Sequence, residues 1–259
     1  MPAFVVFTLY APLGAFGDVA VGERRAAFDR PSRSGVLGLV AAALGIERGD
    51  EAGHAALDAA YALAVRVDRA GTLLQDYHTV QAPPARAGRR WATRAEALAE
   101  PGLGTLLSLR DYRQDALATV VLMVRGEAAP AGAPEPDRIA AALVRPHFTP
   151  YAGRKACPLG LPPRPMAITA AGLVAALARY DAEATEPERQ LRRLLRPRPP
   201  AGQSATIHAD RDFQAAGCID GLEPLRIERS RDQPGSRSRR QFRPREALVL
   251  RESATEAGG

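Results

Sequence analysis

"AFVVFTL", residues 3–9, is a run of β-branched, aromatic and aliphatic side chains closed by Tyr10 and then Ala-Pro-Leu-Gly at 11–14. A short apolar run bounded by turn residues reads as a strand set in the core, here the first strand of the fold. It predicts a loop from Tyr10 to Arg30, with Gly14, Gly17 and Gly22, before "PSRSGVLGLVAAALGI" at 31–46 opens a helix. In that stretch Val36, Leu37, Val40 and Leu44 recur at helical spacing, and Gly45 stands where a C-terminal cap belongs. The helix therefore runs from about Ser34 to Leu44. "YALAVRVD" at 61–68 and "ALATVVLMV" at 116–124 read as a second and a third strand, "EPDRIAAALVR" at 135–145 as a second helix, and "HFTPY" at 147–151 as strand-like. This order predicts an α+β, ferredoxin-like domain with helices packed on one face of an antiparallel sheet.

Residues 79–114, rich in Pro, Gly and Arg, are too long a connection for a compact domain without a purpose, and predict a protruding arm. A third helix is expected near 170–180, and a charged, proline-rich linker over 181–203. The basic C-terminal part, 204–259, is expected to extend the domain with a terminal strand through "REALVL". The expected division is thus a domain over 1–180 with an inserted arm at about 79–114, a linker, and a C-terminal extension.

Apolar residues make up 46% of the 259 and charged residues 25%, which is ordinary globular usage. The net charge of +6 favours an anionic partner and says nothing about fold. Two cysteines, Cys157 and Cys218, are too far apart for a metal knuckle and too few for a disulfide framework. No stretch approaches the length of a membrane span, and the N-terminus lacks the features of a signal peptide. The expectation is a reduced, cytoplasmic protein without a membrane role.

Placement of charge is more informative than its total. Between Arg138 and Tyr180 there is no Asp or Glu, while "HFTPYAGRKACPLG" sets Arg154 and Lys155, the chain's only lysine, among His147, Phe148 and Tyr151. Rings for stacking beside charges for phosphates are what single-stranded nucleic acid needs; the bland alternative is a basic turn after a strand. The helix start at Arg33 and Ser34 is a general anion site, or simply an N-cap. In "RSRRQFRPRE", Arg239, Arg240 and Arg243 surround Phe242, where a disordered basic tail is the plain alternative. Catalytic signatures are scarce: no His-x-x-x-His spacing, phosphate-cradling glycine loop or Gly-x-Ser-x-Gly elbow occurs. Metal-independent RNA cleavage needs only a base, an acid and a cation, so Tyr77, His78 and Lys155 form a conceivable group.

The blocks "APLGAFGD", "RPSRSGVLGLVAAALGI", "DYHTVQ", "LRDYRQDA", "PYAGRKACPLG" and "RSRRQFRPRE", in that order, resemble the CasD family of the type I-E CRISPR surveillance complex Cascade. The resemblance implies a ferredoxin-like RNA-binding fold with a thumb inserted between the second and third strands. It implies a subunit that holds the 5′ handle of the guide CRISPR RNA and caps the backbone filament. Its partners would be that RNA, the CasC backbone subunits, the large subunit CasA and, indirectly, target DNA, with no cofactor or metal. The handle contacts it implies are Arg33, Ser34, Tyr77, His78, Arg110, Arg113, Tyr151, Arg154 and Lys155, and secondarily Arg239, Arg240 and Arg243. Type I-C relatives of this family cleave precursor RNA, whereas the type I-E pattern implies binding without catalysis.

Overall fold

The computed structural model describes residues 1–17, 20, 22–85, 90–195, 205–236, 239 and 241–252. In chain order these form β1 (Ala3–Gly14), β2 (Arg24–Arg25), α1 (Arg33–Leu44), α2 (Glu51–Ala60), β3 (Tyr61–Arg69), β4 (Thr72–Ala82) and α3 (Arg94–Leu98). There follow β5 (Gly104–Val124), α4 (Pro136–Val144), β6 (Met166–Thr169), α5 (Leu173–Ala182) and α6 (Glu186–Leu195). The chain closes with β7 (Thr206–Asp210), α7 (Asp212–Ala215), β8 (Leu222–Ser236) and β9 (Gln241–Glu252). All nine strands belong to one sheet whose main path is β6-β1-β5-β3-β7-β9-β8. Every pairing is antiparallel except the short one of β2 on β5.

β1 outruns its apolar start. Its register on β5 continues from Phe4 opposite Met123 to Gly14 opposite Arg113, and it skips Pro12, which has no N–H to donate. Both faces of β1 are buried. Val5, Phe7 and Leu9 pack with Val36, Leu37 and Val40 of α1, Leu57 of α2, and Ile139 and Leu143 of α4. Phe4 and Val6 pack on the other side with Leu173 and Leu177 of α5, Phe213 of α7 and Leu248 of β9. Helices therefore cover both faces of the sheet, not one. A strand buried on both sides takes mostly apolar residues, which is why "AFVVFTL" reads as a run and not as an alternation; its one polar member, Thr8, is buried with its hydroxyl bonded.

The expected connection at 79–114 is largely strand. β3 and β4 follow one another along the same edge of β5, so the hairpin they make with β5 runs on beyond the end of β1 by nine residues, about 30 Å. The path is interrupted at Gly71, where φ is +72°, and opposite it Asp115 has φ +53°. A Cβ on Gly71 would lie 2.5 Å from the carbonyl oxygen of Gln114, so only glycine fits.

Two expected segments take other forms. "HFTPY" makes no strand: the N–H groups of His147 and Phe148 donate to the carbonyls of Ala43 and Ala42 and so finish the C-terminus of α1. The strand on the edge of β1 away from β5 is β6 instead. Inside the expected linker lies α6, whose one buried residue is Glu188. Glu188 accepts from Thr8 Oγ1 at 3.0 Å and pairs with Arg164 at 2.6 Å, while Arg192 Nη2 donates to Thr8 at 3.1 Å. This charged helix is held on the sheet by polar contacts with little apolar packing. α2, missed by periodicity because it buries only Leu57 and Ala60, starts at an Asp50 side chain that accepts from the Gly53 N–H at 2.8 Å. Among the described residues no helix is long and apolar enough to cross a membrane.

Candidate nucleic-acid interface

Arg33, expected at an RNA contact, is completely buried. Its Nη1 donates to Asp210 at 2.5 Å, its Nε and Nη2 to the Asp58 carboxylate at 3.0 and 2.8 Å, and Nη2 also to the Tyr61 carbonyl at 2.9 Å. The guanidinium has no face left for a phosphate, so the expectation is corrected: Arg33 is an internal tie. Ser34, the next residue, is partly exposed. Capping of α1 falls to Ser32, whose hydroxyl accepts from the Gly35 N–H at 3.3 Å.

The "PYAGRK" loop is shaped by its glycine. Gly153 has φ +85°, and a Cβ there would lie 2.1 Å from the Ala15 carbonyl oxygen. The close approach made possible by this glycine is thus to the end of β1, fastened by the Ala15 N–H donating to Ala152 O at 2.9 Å. Arg154, partly buried, lies 4.6 Å over the Tyr112 ring and donates to the carbonyls of Asp111 and Arg25 at 3.2 and 3.1 Å. Lys155 and Tyr151 are exposed.

On its other side this loop borders a groove of about 650 Å³ between α1 and the tip of the β8–β9 hairpin. Ser34, Gly38 and Leu39 form one wall, Pro234, Gln241 and Phe242 the other, and Phe148, Tyr151 and Gly153 one end. Phe148, Tyr151 and Phe242 are 42%, 43% and 47% exposed, so three rings on the groove are open to solvent. Arg48, also on the groove, supplies a cation. Arg239 and Arg243 are exposed at the hairpin, whereas Arg240 lies outside the described residues. Three stretches separated by more than 80 residues each are thereby brought to one cleft: the α1 start, the "PYAGRK" loop, and Gln241 with Phe242 of the C-terminal basic block. Phe148 and Phe242 were recognised as rings within basic blocks but not as members of the site; Ile46 and Arg48, beyond the end of α1, carried no signal at all.

The remaining candidates lie on the arm. Tyr77 is 60% exposed and, being adjacent on β4, His78 points to the opposite face, where it bonds the Asp76 carboxylate. Arg110, opposite Asp76, donates to the Ser108 hydroxyl at 3.3 Å. Arg113 sits at the arm's base beside Arg30, Arg69 and Tyr10 around a small cavity. Burial works to raise the Asp111 carboxyl, but hydrogen bonds from Arg24 and Gln75 outweigh it and hold the group below its usual range. That pairing docks β2 against the arm, with Arg24 Nη2 2.9 Å from Asp111. Tyr77 and His78 thus face opposite sides of one strand, and Lys155 belongs to a separate loop. Among the described residues no group of three His, Cys, Asp or Glu side chains is arranged to hold a metal.

Comparison with known proteins gives this arrangement a relationship. A family model described as CRISPR-associated protein (Cas_Cas5) matches residues 4–247. The CRISPR system Cascade subunit CasD of Escherichia coli (strain K12) is 33% identical over 170 residues, 62% of this chain and 70% of that protein. A chain of a solved "CRISPR RNA-guided surveillance complex" superposes with TM-score 0.62 at 26% identity, over 96% of this chain and 90% of its own. A crystal structure of a Cas protein gives TM-score 0.51 at 25% identity, over 96% and 93%. The chain belongs to the Cas5 family of CRISPR-associated proteins.

Proposed function

We propose that this protein is a non-catalytic, cytoplasmic RNA-binding subunit of a CRISPR surveillance complex, and that its groove holds the 5′ handle of the guide RNA. The observation that carries the reading is the convergence of Phe148, Tyr151 and Phe242 on one cleft, lined also by Arg48 and Glu47, with the exposed Lys155, Arg239 and Arg243 each within two residues in sequence of a lining position. Stacking rings beside backbone-neutralising cations suit unpaired nucleotides and not a duplex. The similarity to a CasD protein and to a chain of an RNA-guided complex supports the assignment.

In this reading the strand order β6-β1-β5-β3, with α1 and α4 on one face, is a ferredoxin-like unit within residues 1–180. The β4–β5 arm is its thumb, and β7, β8 and β9 of the C-terminal part extend its sheet. The subunit caps the backbone filament, touching CasC and CasA and meeting target DNA only through the guide. The test is binding of labelled single-stranded RNA copied from the CRISPR repeat across a salt series. Affinity should fall steeply with salt, by roughly 0.7 in log-log slope for each phosphate neutralised. Replacing Tyr151 or Phe242 by Ala should weaken binding by about 1–3 kcal/mol for each base stacked. Salt-independent binding, or cleavage of precursor RNA by the protein alone, would overturn the reading.

A further inference from the structure

The burial of Arg33 leaves a question: what does a fully enclosed guanidinium do beside Ser34 on the groove wall? It belongs to a closed ring. Arg33 Nη1 donates to Asp210 Oδ2 at 2.5 Å, Asp210 Oδ1 accepts from Arg245 at 2.6 Å, and Arg245 donates to Asp232 through Nε at 2.9 Å and Nη2 at 3.0 Å. Asp232 Oδ2 returns to the start by accepting from the Arg33 backbone N–H at 2.7 Å. Asp58 of α2 joins from outside, bonding Arg33 and Gln233. Arg33, Asp210 and Asp232 are all under one-tenth exposed.

The ring adjoins both walls of the groove. Arg33 precedes Ser34 on one wall; Asp232 stands two residues before Pro234, and Arg245 three after Phe242, on the other. The β8–β9 ladder reaches the hairpin tip only through register shifts, one between Ser230 and Gln233 and another between Pro234 and Ser236. Asp232 lies within the first of these irregularities. Bulges bend a strand and loosen its ladder locally. Directional bonds to buried charges can specify a position that a bulged ladder leaves open.

We propose that Arg33 is a positioning residue which, through Asp210 and Asp232, sets the width of the cleft between α1 and the β8–β9 hairpin and thereby its affinity for single-stranded RNA. This rests on the functional reading above. The ring is a clasp for the jaw that carries Phe242, and the groove's rings stack well only while it is closed.

The test uses Asp232→Asn, which keeps an acceptor oxygen for the Arg33 N–H and removes the charge facing Arg245. Spin labels at Ser34→Cys and Gln241→Cys report the cleft directly, because the native Cys157 and Cys218 are buried. In the Asp232→Asn protein the label distance should broaden and affinity for the repeat-derived RNA should fall about tenfold. Adding Phe242→Ala to it should lower affinity by much less than the product of the separate effects. Arg245→Lys, which keeps the charge but loses the forked geometry, should act in the same direction and serves if Asp232→Asn does not fold. An unmoved label distance with unchanged affinity, alongside only a lower melting temperature, would overturn the clasp. Wild-type protein that binds no RNA while the distance still responds would remove the functional reading and leave the clasp's geometry standing.

Discussion

Arg154 lies with its guanidinium carbon 4.6 Å from the centre of the Tyr112 ring, joining the "PYAGRK" loop to the base of the arm. Its neighbour Lys155 is exposed, so two adjacent cations have different work. Arg154→Ala should destabilise the protein by about 1–2 kcal/mol, from the lost ring contact and two carbonyl bonds. Lys155→Ala should leave stability within about 0.5 kcal/mol of wild type and lower the salt slope of RNA binding by roughly 0.7. Denaturant unfolding and a salt titration separate the two; equal effects on both measurements would refute the division.

Gly153 should accept no side chain. With φ +85° and the Ala15 carbonyl oxygen 2.1 Å from a would-be Cβ, Gly153→Ala must either strain the backbone or push the loop off β1. A loss of about 2 kcal/mol or more is expected in urea unfolding, larger than for Gly49→Ala, where a Cβ meets nothing within 4 Å.

Glu188 fastens α6 to the sheet. Its carboxylate meets Thr8 at 3.0 Å and Arg164 at 2.6 Å, with Arg192 Nη2 at 3.8 Å, and its side chain is only 7% exposed. Glu188→Ala leaves Arg164 and Arg192 without it in a largely dry site and should cost about 3 kcal/mol. Hydrogen exchange should then rise over residues 186–195 before it rises in β1 or β5.

His208 predicts how stability depends on pH. Burial, and then the positive charge of Arg30, push its imidazole down to about 4, against the upward pull of Glu228 and Asp29. An unfolded histidine takes up its proton near pH 6.5. The folded state refuses that proton until about pH 4, so the stability is fully present above about 6.5 and is lost as pH falls between those values. The loss should be on the order of 3 kcal/mol, and unfolding free energies of His208→Gln measured over that window should slope less than those of wild type. Asp232 adds an acid limb further down: burial raises its carboxyl, but Arg245 more than compensates and holds it below the usual range. Its stabilisation is present above about pH 4 and fades below it.

Much of the architecture could be read from local pattern. The apolar runs of β1, β3 and the second half of β5, the spacing of Val36, Leu37 and Val40 with Gly45 closing α1, and the helices α4 and α5 are all short-range signals. α2 and α6 were hidden because their partners are distant: α2 buries only Leu57 and Ala60, and α6 docks through Glu188 onto Thr8, 180 residues away. The outer part of β5 carries no such signal because Gly104–Leu107 are exposed at every position and the residues after them are mostly half-buried, with no apolar buried side to impose an alternation.

The site divides in the same way. Basic and aromatic composition is a local property, so the blocks around Tyr151, Lys155 and Phe242 could be picked out before any contact was known. Which arginines are free to meet a phosphate is decided by burial, and burial is set by residues far along the chain. Arg33 looked like an anion contact at a helix start, but Asp210 and Asp232, 177 and 199 residues later, claim its guanidinium and its N–H. Only folding brings those carboxylates to it, and only folding turns three separated blocks into the walls of one groove.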